Sequence, residues 1–241
     1  MNFSFKKYKK SFDYSYTIGV YATIELLTHQ PSQVIKVYIH RKGEKNKGVL
    51  KIQSLCKINN IQTEIADGLL EKLSDSENCY AVGFFKKYQS ELSADDNHVV
   101  LDSPSDMGNV GTIMRTMLGF GFTDLAIIRP AVDIFDPKVI RASQGASFQI
   151  RSKYFDSFTQ YKNLFSRNYY SFMLEGKNMN ELTFVKPYSL IFGNEGSGLS
   201  HEYLKIGTPV KIPQSDKIDS LNLSIAVGIV LYENFKPSKK P

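Results

Sequence analysis

The chain has 241 residues, 42% of them apolar and 22% charged, which is an ordinary globular make-up with room for one large domain or two modest ones. No apolar run approaches the roughly 20 residues that cross a bilayer, and the lysine-bearing start has no apolar signal core behind it. Two cysteines and four scattered histidines offer neither a disulfide framework nor a metal site, so the reading is a reduced, cytoplasmic, metal-free protein, and the net charge of +6 leans weakly toward a polyanionic partner.

From the amino end, "VIKVYIH" (34–40) predicts a strand and "GVLKIQSLCKINN" (48–60) a helix. "IQTEIA" reads as a strand, "DGLLEKLS" as a helix turn and "CYAVGFF" as a strand, together a small α/β domain over 1–90. The polar stretch "KKYQSELSADDNH" (86–98) then predicts a linker near 88–97. Beyond it come "HVVLDS" (strand), "NVGTIMRTMLGFG" (helix), "DLAIIR" (strand), "DPKVIRAS" (short helix) and "FTQYKNLFSR" (helix). "YYSFML" and "YSLIFG" follow as strands, then "HEYLKIG" as a short helix, "PVKIP" as a strand, and a long last helix. Strands apolar on both faces, alternating with helices, predict a mostly parallel sheet covered by helices over 97–241.

The basic excess gathers at "KKYKK" (6–10), "HRKGEKNKG" (40–48) and "KPSKK" (236–240). Each cluster can be a solvated loop or tail. Three of them, one interleaved with aromatics, make nucleic acid a hypothesis.

Three segments carry chemistry. In "LDSPSDMGNVGTIMRTMLGFG" (101–121), Val110, Ile113, Met114, Met117 and Leu118 follow the i, i+3, i+4, i+7, i+8 spacing of a half-buried helix. Asn109 stands where an N-cap belongs and Gly121 where the helix would stop. The helix then starts at the carboxyl end of a strand, where open α/β sheets bind ligands. Arg115 falls off the apolar stripe, on the side able to face that crevice. On the residues alone, Asn109 can equally be a plain cap and Arg115 a solvated arginine.

The second segment is "IFGNEGSGLS" (191–200). Its order, Gly193, Gly196, Gly198, reverses the spacing of the dinucleotide fingerprint, and no lysine is present for a Walker loop. Glu195, set among the glycines, would repel a phosphate. The loop suits a phosphate-free ligand approached closely by backbone, or is a tight turn. The third segment is "VKIPQSDKIDSLNLSIAVGIVLYENF" (210–235). From Leu221 to Tyr232 only Asn222 and Ser224 are polar, which predicts a buried helix capped by Asp219 or Ser220. Polar groups at its start serve as caps or as the wall of a site.

In this order and at these intervals, "NVGTIMRT", "IFGNEGSGL" and "IPQSDKIDSLNLSIA" resemble the three motifs of the SpoU (TrmH-like) RNA 2′-O-ribose methyltransferases of the SPOUT superfamily. The resemblance covers roughly 97–235. The preceding "YTIGVYATIELLTH", leading into "VIKVYIH", looks like the small substrate-binding domain that many members carry. The resemblance implies an α/β fold: a trefoil-knotted methyltransferase domain with a mostly parallel sheet, preceded by a small α/β RNA-binding domain. It implies an obligate homodimer that binds S-adenosyl-L-methionine in the knot. Gly193, Ile212 and Leu221 match cofactor-holding positions, with Gly196 and Gly198 in the same cradle. Asn109, Arg115, Glu195, Ser220 and Asn222 match the functional polar positions. One departure is "SDMGN", where many members have Asp-Pro-x-Asn; loss of the proline is expected to loosen the loop without affecting chemistry.

The implied product is a 2′-O-methylribose in structured RNA, ribosomal first and transfer RNA as the alternative. A catalytically silent RNA-binding module of the same fold is the reading from another class. The intact set Asn109, Arg115, Glu195 and Asn222 argues for an enzyme, since a binder needs none of them together. With five N–H donors and no acceptor, the Arg115 guanidinium is a poor neutral base. Its expected share is to grip the phosphate beside the target ribose and stabilise a developing alkoxide, with Asn109 and Glu195 orienting it.

Overall fold

The computed structural model describes residues 6–74 and 78–235; the basic run at 236–240 lies outside the described residues. The chain divides into two units, residues 1–88 with 133–149, and residues 89–132 with 150–241.

In the first unit the elements are β1 (Tyr14–Tyr16), α1 (Val20–His29), β2 (Val34–Ile39), α2 (Lys47–Ile58), β3 (Thr63–Ile65), α3 (Asp67–Leu73) and β4 (Ala81–Lys86). The sheet runs β1-β4-β2-β3, parallel only between β2 and β3. α2 forms where expected: Asn46 caps it by accepting the Gly48 N–H at 2.9 Å, and Val49, Ile52 and Cys56 bury one stripe. β1 and α1 lie where periodicity marks no element. The unit also contains a helix at Pro137–Ala142, whose Ile140 packs with Phe148 on Ala22, Leu26 and Phe85. Asp133 anchors that excursion, accepting from the Tyr8 hydroxyl and, at 2.8 Å, from Lys87 Nζ. A contiguous reading of the sequence cannot see that 133–149 belongs with the amino-terminal residues.

The second unit is a six-stranded parallel sheet, β10-β8-β9-β5-β6-β7. In chain order it comprises β5 (His98–Asp102), α4 (Met107–Gly119), β6 (Asp124–Ile128) and β7 (Arg151–Phe155). Next come α6 (Phe158–Leu164), α5 being the helix in the first unit, then β8 (Asn168–Asn178), β9 (Tyr188–Phe192), β10 (Thr208–Lys211) and α7 (Leu223–Phe235). β7 has no counterpart in the sequence reading, because "RSKYF" interleaves polar side chains. The segment expected as a short helix at 201–207 is a 3-10 turn, His201–Lys205. β6 and β9 are buried throughout and β5 over residues 98–101, as a sheet covered on both faces requires.

Two helix starts differ from expectation. α4 begins at Met107, and its cap is Asp106, which accepts the Asn109 N–H at 2.7 Å; Asn109 sits inside the first turn with its side chain free for other work. α7 begins at Leu223 and is closed by Asn222, not by Asp219 or Ser220. The Asn222 side-chain Oδ1 accepts the Ser224 N–H at 2.9 Å and the Ser224 hydroxyl at 2.7 Å. In both cases the short polar side chain just outside the first turn has the reach to close it.

The expected linker is held rather than loose from Ser90 on. Ser90 Oγ donates to Ser152 O at 2.9 Å, and Asp124 accepts the Ser93 N–H at 2.8 Å. Arg167 donates to Asp96 O and Ala94 O at 2.7 and 2.8 Å.

Candidate active site

β5 and β9 are parallel neighbours, with Leu101 opposite Phe192, so the loops leaving their carboxyl ends start side by side. The strand order reverses at β5, which places those loops at a topological switch point, the position where open α/β sheets bind ligands. One loop is 103–106, leading into α4, and the other is 193–198.

Asn194 joins the two loops. Its amide donates to Ser103 O at 2.7 Å, while its carbonyl accepts the Gly196 N–H at 2.8 Å and makes a local turn. Glu195 completes the joint. Its Oε2 accepts from Ser105 N–H at 3.0 Å and Ser105 Oγ at 2.8 Å, and its Oε1 from Asp106 N–H at 3.1 Å and Asn109 Nδ2 at 3.4 Å. Burial pushes the Glu195 carboxyl up, but hydrogen bonds from Ser105, its own N–H and Asp106 outweigh it, and the group ends below the usual carboxylate range. Asn109 Oδ1 in turn accepts from Asn222 Nδ2 at 3.1 Å. Three residues far apart in sequence, Glu195, Asn109 and Asn222, thus form one hydrogen-bonded line across two loops and the start of α7.

Beside that line lies a cavity of about 430 Å³, a size that suits a nucleoside-type ligand. Its walls include Gly193, Glu195, Gly196 and Gly198 from the loop, and Ile212, Ser220 and Leu221 from the segment before α7. Apolar side chains, Phe172 and Phe192 among them, supply much of the remainder. The charged groups on the lining are Glu175, Glu195, Asp219 and Lys211, with His201, a balance that disfavours a phosphate and suits a cationic sulfonium or ammonium.

The glycines have separate reasons. A Cβ on Gly193 would stand 2.1 Å from Gly198 C and 2.3 Å from Leu199 N, so the loop's own backbone demands glycine there. The crowding comes from the tight turn that folds residues 198–199 back onto Gly193 and not from a ligand. Gly198 has φ +67° with open space around it, so its glycine serves the left-handed turn. An isolated bridge between Asn194 and Gly198 closes the same turn.

Arg115 stands apart. It is exposed on α4, six residues from Asn109 and so about 120° round the helix, and has no hydrogen-bond or ion-pair partner among the described residues. α4 packs along α7, and α7 presents an apolar surface: Ile225, Tyr232 and Phe235 are more than half exposed, with the Phe120 ring that follows α4 edge-on to Tyr232 and tilted against Phe235.

The model of the SpoU rRNA methylase family matches residues 96–232. The chain belongs to that family. It is a methyltransferase on that ground. A relative from Synechocystis, an uncharacterized tRNA/rRNA methyltransferase, is 35% identical over 56% of this chain and 51% of its own length, so the chain spans about half of it. Another from Borreliella burgdorferi, with the same description, is 30% identical over 87% of this chain and 85% of its own length. A Bacillus subtilis relative named a 23S rRNA (guanosine-2′-O)-methyltransferase is 26% identical over 60% of each chain. Among solved structures, a SpoU methyltransferase from Streptomyces viridochromogenes, in complex with the cofactor AdoMet, superposes with a TM-score of 0.77 at 22% identity over 92% of this chain and 89% of its own. The last likeness concerns the fold.

Within this SpoU unit, motif reading on the sequence missed Asn194, Ser105 and Asp106, which hold the two loops together. Asn194 carried a signal: an asparagine two residues before a glycine favours a side-chain-closed turn. Ser105 carried none, because a serine in a polar loop is uninformative until its partner is in view.

Proposed function

We propose that the chain transfers the methyl group of S-adenosyl-L-methionine to a ribose 2′-hydroxyl in structured RNA, with ribosomal RNA as the first substrate to test and transfer RNA as the second. The observation that carries this reading is the Glu195–Asn109–Asn222 line at the edge of a phosphate-averse, glycine-walled cavity. Gly193, Gly196, Gly198, Ile212 and Leu221 would hold the adenosine end by backbone approach and apolar contact. Bound there, the sulfonium supplies an electrophilic methyl group, and little acid–base equipment is needed beyond orientation. Asn109 and Asn222 orient the acceptor side, with Ser220 on the cavity wall.

Arg115 grips the phosphate beside the target ribose and stabilises the developing alkoxide. Its distance round α4 from Asn109 favours its acting on the site of a second copy. The exposed apolar surface of α7 supports a homodimer, since a monomer rarely leaves such a patch open. The placement of β10 beside β8, with β9 on the other side of β8, supports the knotted topology that the sequence motifs imply. Arg41, Lys42, Lys45 and Lys47 are exposed on the first unit, which supports its reading as the RNA-binding domain over 1–90. The reaction is assigned to the cytoplasm.

The test is transfer of radiolabelled methyl groups to total RNA from cells lacking the chain, followed by mapping of ribose methylation. Ribose methylation at a discrete rRNA or tRNA nucleotide supports the proposal and names the substrate. Labelling on a base, or binding of RNA with no transfer, overturns it, the latter in favour of the silent binding module.

A further inference from the structure

The Glu195 carboxylate is saturated. A carboxylate offers about four lone-pair sites, and Ser105 N–H, Ser105 Oγ, Asp106 N–H, Asn109 Nδ2 and Asn194 Nδ2 all converge on it within 3.4 Å. Nothing is left over to take a proton from a substrate hydroxyl, so Glu195 acts as a tether between two loops. Among its side-chain donors only the Ser105 hydroxyl is short, at 2.8 Å; the Asn109 and Asn194 amides are both at 3.4 Å. Ser105 is therefore the side chain that fixes where the carboxylate sits, and the carboxylate fixes the Asn109 amide, whose other end meets Asn222 at 3.1 Å.

The loop depends on this contact for a sequence reason. Met107 occupies the first helical position, where a proline would preset φ, so the backbone at 103–106 is not held by its own stereochemistry. It is held by Asn194 on Ser103 O and by Glu195 on Ser105 and Asp106. We propose that Ser105 is a positioning residue for the methyl transfer, acting through Glu195 on Asn109 and Asn222. This rests on the function proposed above. Ser105 does not line the cavity, and the Glu195 carboxylate that does keeps its Ser105 and Asp106 N–H contacts when the hydroxyl is lost, so the effect is expected at the Asn109 end and not at the cofactor.

Ser105→Ala keeps the N–H contact and removes the hydroxyl. A hydrogen bond to a charged group is worth enough that single-turnover methyl transfer to the same total RNA should fall about tenfold. Because the ground-state cofactor contacts are untouched, the Kd for S-adenosylhomocysteine by calorimetry should stay within about twofold. Ser105→Thr keeps the hydroxyl at an exposed position and should recover most of the rate, while Ser105→Cys, with a weak donor, should fall between. If Ser105→Ala does not fold, the ranking of Thr above Cys decides. Transfer by Ser105→Ala at the parent rate overturns the inference. So does a loss of rate matched by an equal loss of S-adenosylhomocysteine affinity, or a Thr variant no better than Cys. A parent chain that neither binds S-adenosylhomocysteine nor transfers methyl groups overturns the proposed function instead.

Discussion

The two ends of the parallel sheet carry polar networks of opposite character. At the amino ends, His98 on β5 bonds to the Tyr161 hydroxyl at 2.8 Å and to Ser93 O at 2.7 Å, and Tyr161 passes to Ser189 on β9 at 2.6 Å. Asp124 on β6, fully buried, accepts from Ser93 N–H, Thr123 and the Arg151 guanidinium. His98, Tyr161, Ser189 and Asp124 are all buried, and each has its partners among the described residues. At the carboxyl ends, Glu195, Asn109 and Asn222 are half-buried or exposed, and they border a cavity. A closed network lowers the energy of one fold and offers nothing to a ligand. An open one leaves donors and acceptors to be completed by what binds.

The largest expected effect lies at the open end. Arg115→Ala should cut methyl transfer by about 100-fold or more, the scale of losing one donor to developing charge, while S-adenosylhomocysteine binds as before. Arg115→Lys should also be poor, because lysine keeps the charge and loses the planar fork. Transfer at the parent rate in the alanine variant would make Arg115 a solvated helix arginine and leave the carboxyl end without its charged partner.

A second test separates the two glycines. At Gly193 even one methyl group would fall inside the Gly198–Leu199 backbone, so Gly193→Ala should displace the loop and remove most cofactor affinity. Gly198→Ala meets open space and carries only the cost of a left-handed φ, roughly 1 kcal/mol, with cofactor affinity reduced far less. Calorimetry with S-adenosylhomocysteine ranks them, and equal losses would mean that the close approach at Gly193 is not what shapes the cavity.

The same contrast explains what was legible in the sequence. Strands apolar on both faces and the Val110–Met117 stripe announce a covered parallel sheet because burial and periodicity leave a mark on every residue. The glycine loop was legible as a loop, with the reason for Gly193 hidden: no pattern reveals that residues 198–199 return over it. The caps shifted, to Asp106 and Asn222, because several neighbouring polar residues could each serve and only geometry chooses. β1, α1 and β7 escaped because short strands and a moderately apolar helix produce weak periodicity. The excursion 133–149 escaped because its partners, Ala22 and Phe85, lie far back along the chain.

At the closed end the effects should fall on stability alone. Asp124→Ala removes a buried carboxylate that holds Arg151, Thr123 and the Ser93 N–H. Breaking such a buried pair costs about 3–5 kcal/mol, and the partial exposure of Arg151 brings the expectation to about 2–3 kcal/mol. Denaturant unfolding measures it. The variant, where folded, should bind S-adenosylhomocysteine as the parent does; a selective loss of binding with unchanged stability would erase the distinction between the two ends.

The last effect is a pH dependence, absent above pH 6.5, and it belongs to His98. Burial, with the Arg167 charge adding to it, pushes the imidazole down from 6.5 to about 4, so the folded chain holds it neutral. The unfolded chain titrates it at its ordinary value. Above pH 6.5 neither state binds the proton and the full stability is present. As pH falls from 6.5 toward 4 the unfolded state takes up a proton that the folded state refuses, so stability declines over that window and levels off below it as far as this group is concerned. The decline is bounded at roughly 3 kcal/mol by the size of the shift. His98→Gln, which cannot titrate and can still donate to Ser93 O, should flatten the slope between pH 6.5 and 4. Cofactor affinity at pH 7.5 should not move. An unchanged slope in the variant would assign the acid sensitivity to groups elsewhere, and a weakened cofactor affinity would mean that the amino-end network reaches through β5 to the loops at its other end.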